Sequence, residues 1–131
     1  MARPKSEEKK ALTDIELQLM NILWRLEGAT VHEVLESLEK SQKKDYAYTT
    51  VSTMLRILEK KEFVRSEKEG RGHRYFPKVE KDDYQEKALG QMVEQVFSGQ
   101  PSTLIKNLLG QAKLTSEELA EIQKMIEEQN D

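Results

Sequence analysis

Residues 46–78 read YAYTTVSTMLRILEKKEFVRSEKEGRGHRYFPK, and the first half of that run predicts a helix from about Tyr48 to Lys61. Val51, Met54, Leu55 and Leu58 recur at helical spacing and mark its buried side. At about 100° per residue, Thr49, Thr53, Arg56 and Lys60 fall on the opposite side, with Thr50 and Ser52 on its flanks. Thr and Ser are poor helix formers, and an ordinary solvated face more often carries Glu, Lys or Gln. Their concentration at Thr49, Thr50, Ser52 and Thr53 therefore points to a task beyond solubility. Short hydroxyls suit hydrogen bonding to base edges in a major groove.

The second half predicts two strands, Phe63 to Lys68 and His73 to Val79, joined through a tight Gly70-Arg71-Gly72 turn. Arg71, His73 and Arg74 would bring cations to phosphate. A helix followed at once by a basic hairpin is the order of a winged-helix DNA reader. In isolation the three cations also fit a hydrated turn. Ala47, just before the helix, is a poor N-cap, which leaves N–H groups free for a phosphate.

Working upstream, Thr13 to Leu26 reads as a helix. Thr13 and Glu16 have capping-box spacing, and Leu12 with Leu17 has that of a hydrophobic staple. Ile15, Leu19, Ile22, Leu23 and Leu26 form its apolar face, Trp24 lies in or near the core, and Gly28 ends the helix through a positive φ. Ala29-Thr30 reads as a one-bridge strand. Thr30 and Glu33 make a second capping box, opening a helix to about Glu39 whose Val31, Val34, Leu35 and Leu38 face inward. Ser41–Asp45 is a polar, lysine-rich loop. Residues 1–11 carry charge without period and read as a mobile tail, or else as a basic arm that reaches DNA through Arg3 and Lys5.

Downstream of Lys81 the helical period returns. Asp82 and Asp83 open a helix striped by Leu89, Met92, Val93 and Val96. Ser98-Gly99-Gln100-Pro101 interrupts it. Leu104, Ile105, Leu108 and Leu109 mark a short helix over Ser102–Leu109. A third capping box, Thr115 with Glu118, opens a last helix with Leu119, Ile122, Met125 and Ile126. Three short helices make a poor core of their own. A second copy of the chain would bury these stripes, and a two-fold dimer matches a palindromic DNA site. The fold class is thus mostly α with a small β-hairpin. The expected domains are a tail at 1–11, a winged helix-turn-helix DNA-binding domain at 12–80 and a helical dimerisation region at 81–131.

The net charge is −3, which at first opposes a nucleic-acid partner, but its distribution reverses that impression. Residues 40–78 hold 11 Lys+Arg against 5 Asp+Glu, and residues 79–131 hold 5 against 11. Screening confines the reach of the distant acids to roughly 8–10 Å, so a local cationic face suffices for phosphate contact. No apolar run is long enough to span a membrane and no signal-peptide pattern opens the chain. The absence of cysteine removes disulfides and thiolate metal sites and fits a reducing cytoplasm. The two histidines, His32 and His73, lie on different elements, so no metal site or cofactor is expected. With no phosphate loop and no nucleophile motif, no catalytic residue and no enzymatic activity are expected. A different class fits the scaffold as well: a winged-helix adaptor whose C-terminal helices dock another protein without DNA sequence specificity. The Thr/Ser face within the basic segment argues against it, since an adaptor would more often present an apolar surface there.

LTDIELQLMNILWRLEGATVHEVLESL, YAYTTVSTMLRILEKKEFV and GRGHRYFPKV together resemble the penicillinase and methicillin-resistance repressor family of bacterial transcriptional regulators. The likeness covers nearly the whole chain after residue 11, the C-terminal helices matching only in pattern. The resemblance implies a homodimeric repressor on a palindromic operator with TACA/TGTA half-sites. It assigns base contacts to Thr49, Thr50, Ser52 and Thr53, backbone contacts to the wing around Arg71–Arg74, and dimer contacts to the C-terminal helices. It also implies relief through a membrane sensor protease, leading to cleavage at an Asn-Phe bond. The matching segment here, Gly99-Gln100-Pro101-Ser102-Thr103-Leu104, has no Asn-Phe, so a different scissile bond or another signal is required. Copper-responsive relatives use a C-terminal cysteine cluster, which this chain lacks. Glu62 stands where the family often has Gly before the first wing strand.

Overall fold

The computed structural model describes residues 12–42, 44–111 and 114–129. The expectations for the N-terminal tail, with Arg3 and Lys5, fall outside the described residues. The chain divides into two compact units between Glu86 and Lys87.

The first unit begins with α1 (Asp14–Leu26). Thr13 N–H donates to Glu16 Oε1 at 2.9 Å, and Glu16 N–H donates to Thr13 Oγ1 at 3.3 Å, closing the capping box. Such a box satisfies N–H groups that the first turn leaves without helical partners. The helix ends on Glu27, in the left-handed region at φ 59, followed by Gly28 at φ +118. A side chain at Gly28 would meet Phe76: an added Cβ would sit 2.6 Å from its Cδ1. Glycine is thus required there for space as well as for backbone freedom.

A short strand β1 (Ala29–Thr30) leads into α2 (Val31–Gln42), capped by the reciprocal Thr30–Glu33 bonds at 3.0 and 3.2 Å. α2 runs three residues past the expected Glu39, no helix breaker intervening before Gln42. α3 (Tyr48–Lys60) follows, with no side-chain cap at Ala47. Its C-terminal turn closes with Glu62 at φ 67 and with Phe63 N–H on Leu58 O at 3.0 Å. Strands β2 (Val64–Glu69) and β3 (Gly72–Pro77) form the hairpin. Only Gly70, at φ +61, takes the left-handed conformation in its tip. The three strands make one antiparallel sheet in the order β1-β3-β2. Ala29 pairs with Tyr75 and Thr30 with Arg74, a second bridge beyond the one expected.

The core of this unit lies where the three helices meet the sheet. α1 contributes Leu19, Met20, Ile22 and Leu23, α2 Val31, Val34 and Leu38, α3 Val51, Leu55 and Leu58, and the wing Phe63, Val64 and Tyr75. Each fully buried leucine contributes about 1.5–3 kcal/mol. Two expectations for α1 are corrected. Leu26 is 40% exposed, because the helix terminates there and its side chain lines an open cleft with Arg25, Glu36 and Lys40. Met20, outside the expected stripe, is fully buried, since the inward arc is wider than the leucine spacing suggested. Trp24 is half-buried and donates from Nε1 to Val79 O at 2.9 Å, beside Tyr84.

The helix α4 (Lys81–Gln95) begins in the first unit and continues into the second, which also holds α5 (Pro101–Gly110) and α6 (Ser116–Gln129). Pro101 stands at the first turn of α5, where a missing N–H costs nothing. α6 carries the third capping box, with Thr115 N–H on Glu118 Oε1 at 2.9 Å and Glu118 N–H on Thr115 Oγ1 at 3.1 Å. No residue of α4, α5 or α6 is buried. The architecture is that of a winged helix-turn-helix domain, mostly α with a small sheet, followed by a helical segment.

Candidate nucleic-acid interface

α3 is fixed from below by Val51, Leu55 and Leu58, so its opposite face is set by helix geometry. Thr49, Thr50 and Thr53 are exposed and Ser52 is half-buried. Lys60 is exposed one turn and more beyond Thr53, and Ile57 is 40% exposed between them. Arg56 is exposed too, but its guanidinium lies beside the Tyr75 hydroxyl, at the seam between α3 and the wing. Burial pushes the Tyr75 hydroxyl above its ordinary range and the Glu59 charge adds to this, while Arg56 pulls the other way.

Two residues of this surface went unassigned in the sequence. His32, on the first turn of α2, packs its ring 4.8 Å from that of Tyr48. The Tyr48 hydroxyl in turn reaches the wing at Gly72. Tyr48 thus joins the starts of α2 and α3 to the hairpin. Nothing in a local pattern signals this, because its partners lie 16 positions back and 24 ahead.

A second feature lies underneath. Glu16 is 6% exposed, and Lys61 Nζ donates to its two oxygens at 3.0 and 2.9 Å. Burial raises the Glu16 carboxyl, but the Thr13 N–H, the Lys61 ammonium and the Thr13 hydroxyl outweigh it and hold the group below the ordinary carboxylate range. The pair ties the start of α1 to the end of α3.

On the wing, Lys68 faces His73 across the β2–β3 register, and Arg71 occupies the tip. All three are exposed. Arg74 is different. Its Nε and NH2 nitrogens bind the two oxygens of Glu69 at 2.9 and 3.1 Å, and NH1 binds Glu33 Oε1 at 3.0 Å. That contact holds the Glu69 carboxyl below its ordinary range. The neighbouring acids are also engaged: Glu67 by Arg65, Glu59 by the Ser66 hydroxyl at 2.8 Å, and Glu62 by Lys78 at 3.6 Å. Among the described residues, Lys60, Lys68 and Arg71 have no acidic partner. The surface thus keeps its carboxylates occupied and leaves these cations beside the hydroxyl-bearing helix.

In the second unit, Leu89, Met92, Val96, Ile105, Leu108, Leu109, Leu119, Ile122, Met125 and Ile126 are exposed. Val93 and Leu104 are half-buried.

The penicillinase repressor family model matches residues 12–128. The penicillinase repressor of Bacillus licheniformis is 29% identical over 117 residues, covering 89% of this chain and 90% of that protein. The solved Bacillus licheniformis BlaI monomer in complex with the blaP half-operator is 32% identical, with 57% of this chain and 89% of that chain covered and a TM-score of 0.47. The hsRosR-S4 complex structure, at 12% identity, covers 97% of this chain and 96% of that chain with a TM-score of 0.60, a likeness of fold alone. A match running from the first capping box to the last helix, on a chain with three helices and a wing, leaves one assignment: the chain belongs to the penicillinase repressor family of transcriptional repressors.

Proposed function

We propose that this chain is a sequence-specific DNA-binding repressor that acts as a homodimer on a palindromic operator. The observation that carries the reading is the exposed face of α3, where Thr49, Thr50 and Thr53 stand clear of the core beside unpaired cations. In this reading Thr49, Thr50, Ser52 and Thr53 contact base edges in the major groove. Arg71 and His73 approach the phosphates from the wing, and Arg56 lies at the rim between them. The uncapped first turn of α3 offers backbone N–H groups to a further phosphate. The second copy covers the apolar stripes of α4, α5 and α6, since no residue of those helices is buried within one chain. Occlusion of the promoter accounts for repression. Relief by proteolysis has a physical opening in the exposed Ser98–Gln100 break between α4 and α5.

The test has two arms. A duplex enriched from a random library is titrated with the parent chain and with Thr53→Ala, and the mass in solution is measured at micromolar concentration. The parent is expected to be a dimer with steeply salt-dependent retention. Thr53→Ala is expected to lose about 1–3 kcal/mol on the enriched duplex and little on random DNA. Equal losses on both would overturn the base-contact assignment. A monomeric mass together with salt-independent retention would replace the repressor by the adaptor.

A further inference from the structure

The ion pairs around Arg74 join three elements at one guanidinium. Thr30, its register partner on β1, sits directly before α2. Glu33 Oε1 accepts from both the Thr30 N–H and Arg74 NH1, each at 3.0 Å. Glu69 is the last residue of β2, immediately before the Gly70–Arg71 tip, and takes the remaining fork of the guanidinium through both oxygens. Three nitrogens of the side chain are therefore committed inside the domain. Arg74 is 28% exposed, less than either carboxylate. One cation among two carboxylates also leaves this patch with a negative balance, which repels phosphate.

We propose that Arg74 is a positioning residue of the wing and not a phosphate contact: it latches the hairpin, close to its tip, to the capped first turn of α2. Phosphate contact then falls to Arg71 and Lys68. Isolated exposed ion pairs hold little, but a bidentate Arg–carboxylate fork within a network is the arrangement that does. The DNA part of this inference rests on the reading proposed above, whereas the latch itself does not. The competing arrangement, in which Arg74 swings out to bind phosphate, has a different signature.

The full chain is used as Arg74→Met, Arg74→Lys and Arg71→Met. Affinity for the enriched duplex is followed against salt, and amide hydrogen exchange of 64–77 is followed without DNA. Arg71→Met is expected to lower the log–log salt slope by about 0.9, the loss of one phosphate contact. Arg74→Met is expected to keep the parent slope and to weaken binding about fivefold or more at every salt concentration. Its wing amides are expected to exchange roughly tenfold faster. Arg74→Lys, which keeps the charge but cannot form the fork, is expected to behave like Arg74→Met. A slope reduced by about 0.9 in Arg74→Met would overturn the proposal. So would unchanged wing exchange, or parent-like behaviour of Arg74→Lys. If the parent chain retains no duplex, the DNA-binding reading falls, and the exchange data still judge the latch.

Discussion

Replacing Glu16 should reveal how much of the recognition helix's placement depends on one carboxylate. Glu16 is almost fully buried, accepts the Thr13 N–H at 2.9 Å and holds Lys61 through both oxygens. Removing a capping partner costs about 0.5–2 kcal/mol. Breaking a fully buried ion pair costs about 3–5 kcal/mol, and the 32% exposure of Lys61 lowers that figure. Glu16→Ala should therefore destabilise by about 2–4 kcal/mol at neutral pH. Glu16→Gln keeps an acceptor for the cap and loses only the charge, so it should cost about 1–2 kcal/mol. The pH dependence has a defined sign. The folded carboxyl titrates below its ordinary value of 4.5. Its contribution is therefore present above that pH and is lost as pH falls through the lower, folded value. The gap between parent and Glu16→Gln should be full at pH 7 and should shrink below about pH 4.5. Urea unfolding followed by circular dichroism at several pH values measures this, with the m-value checked for constancy. A loss under about 1 kcal/mol for Glu16→Ala, or a parent–Gln gap that does not change with pH, would refute the reasoning. Pairing Glu16→Met with Lys61→Met should recover part of the loss, because no charge is then left buried alone.

Glu62 occupies a left-handed position at φ 67. Glu62→Gly should stabilise the fold by about 0.5–1 kcal/mol, read as a higher urea midpoint, since the strain relieved exceeds the added chain entropy. Gly28→Ala should destabilise by about 2–4 kcal/mol through a strained φ and the overlap with Phe76. A thermal melt within a degree of the parent would show that Phe76 yields freely. Ile122→Glu should shift the chain from dimer to monomer in sedimentation while leaving the circular dichroism of the first unit unchanged. A stable dimer in that variant would place the self-contact elsewhere.

The local grammar of this chain was legible because its signals are short. Each Thr-x-x-Glu capping box is written within four residues, and each forms as expected at Thr13, Thr30 and Thr115. The Gly70–Arg71 tip announces the hairpin in the same way. What remained hidden is non-local. Glu16 reads as a cap, and only the folded chain brings in Lys61, 45 positions away. Arg74 reads as a free cation until β1 pairing carries Glu33 to it from 41 positions away. Gly28 reads as a helix stop, while its steric reason, Phe76, arrives with the third strand. The exposure of the C-terminal stripes was legible from their shortness, since helices of 10–15 residues with one apolar face each cannot enclose a core.

Trp24 is the sole tryptophan of the chain. Its Nε1 is bonded to the Val79 carbonyl at the root of the wing, and its ring lies 5.8 Å from that of Tyr84. The molecule therefore carries a built-in optical gauge. Loosening of the hairpin's root from the first helix wets the indole and moves its emission to longer wavelength, so the event can be timed on unlabelled protein.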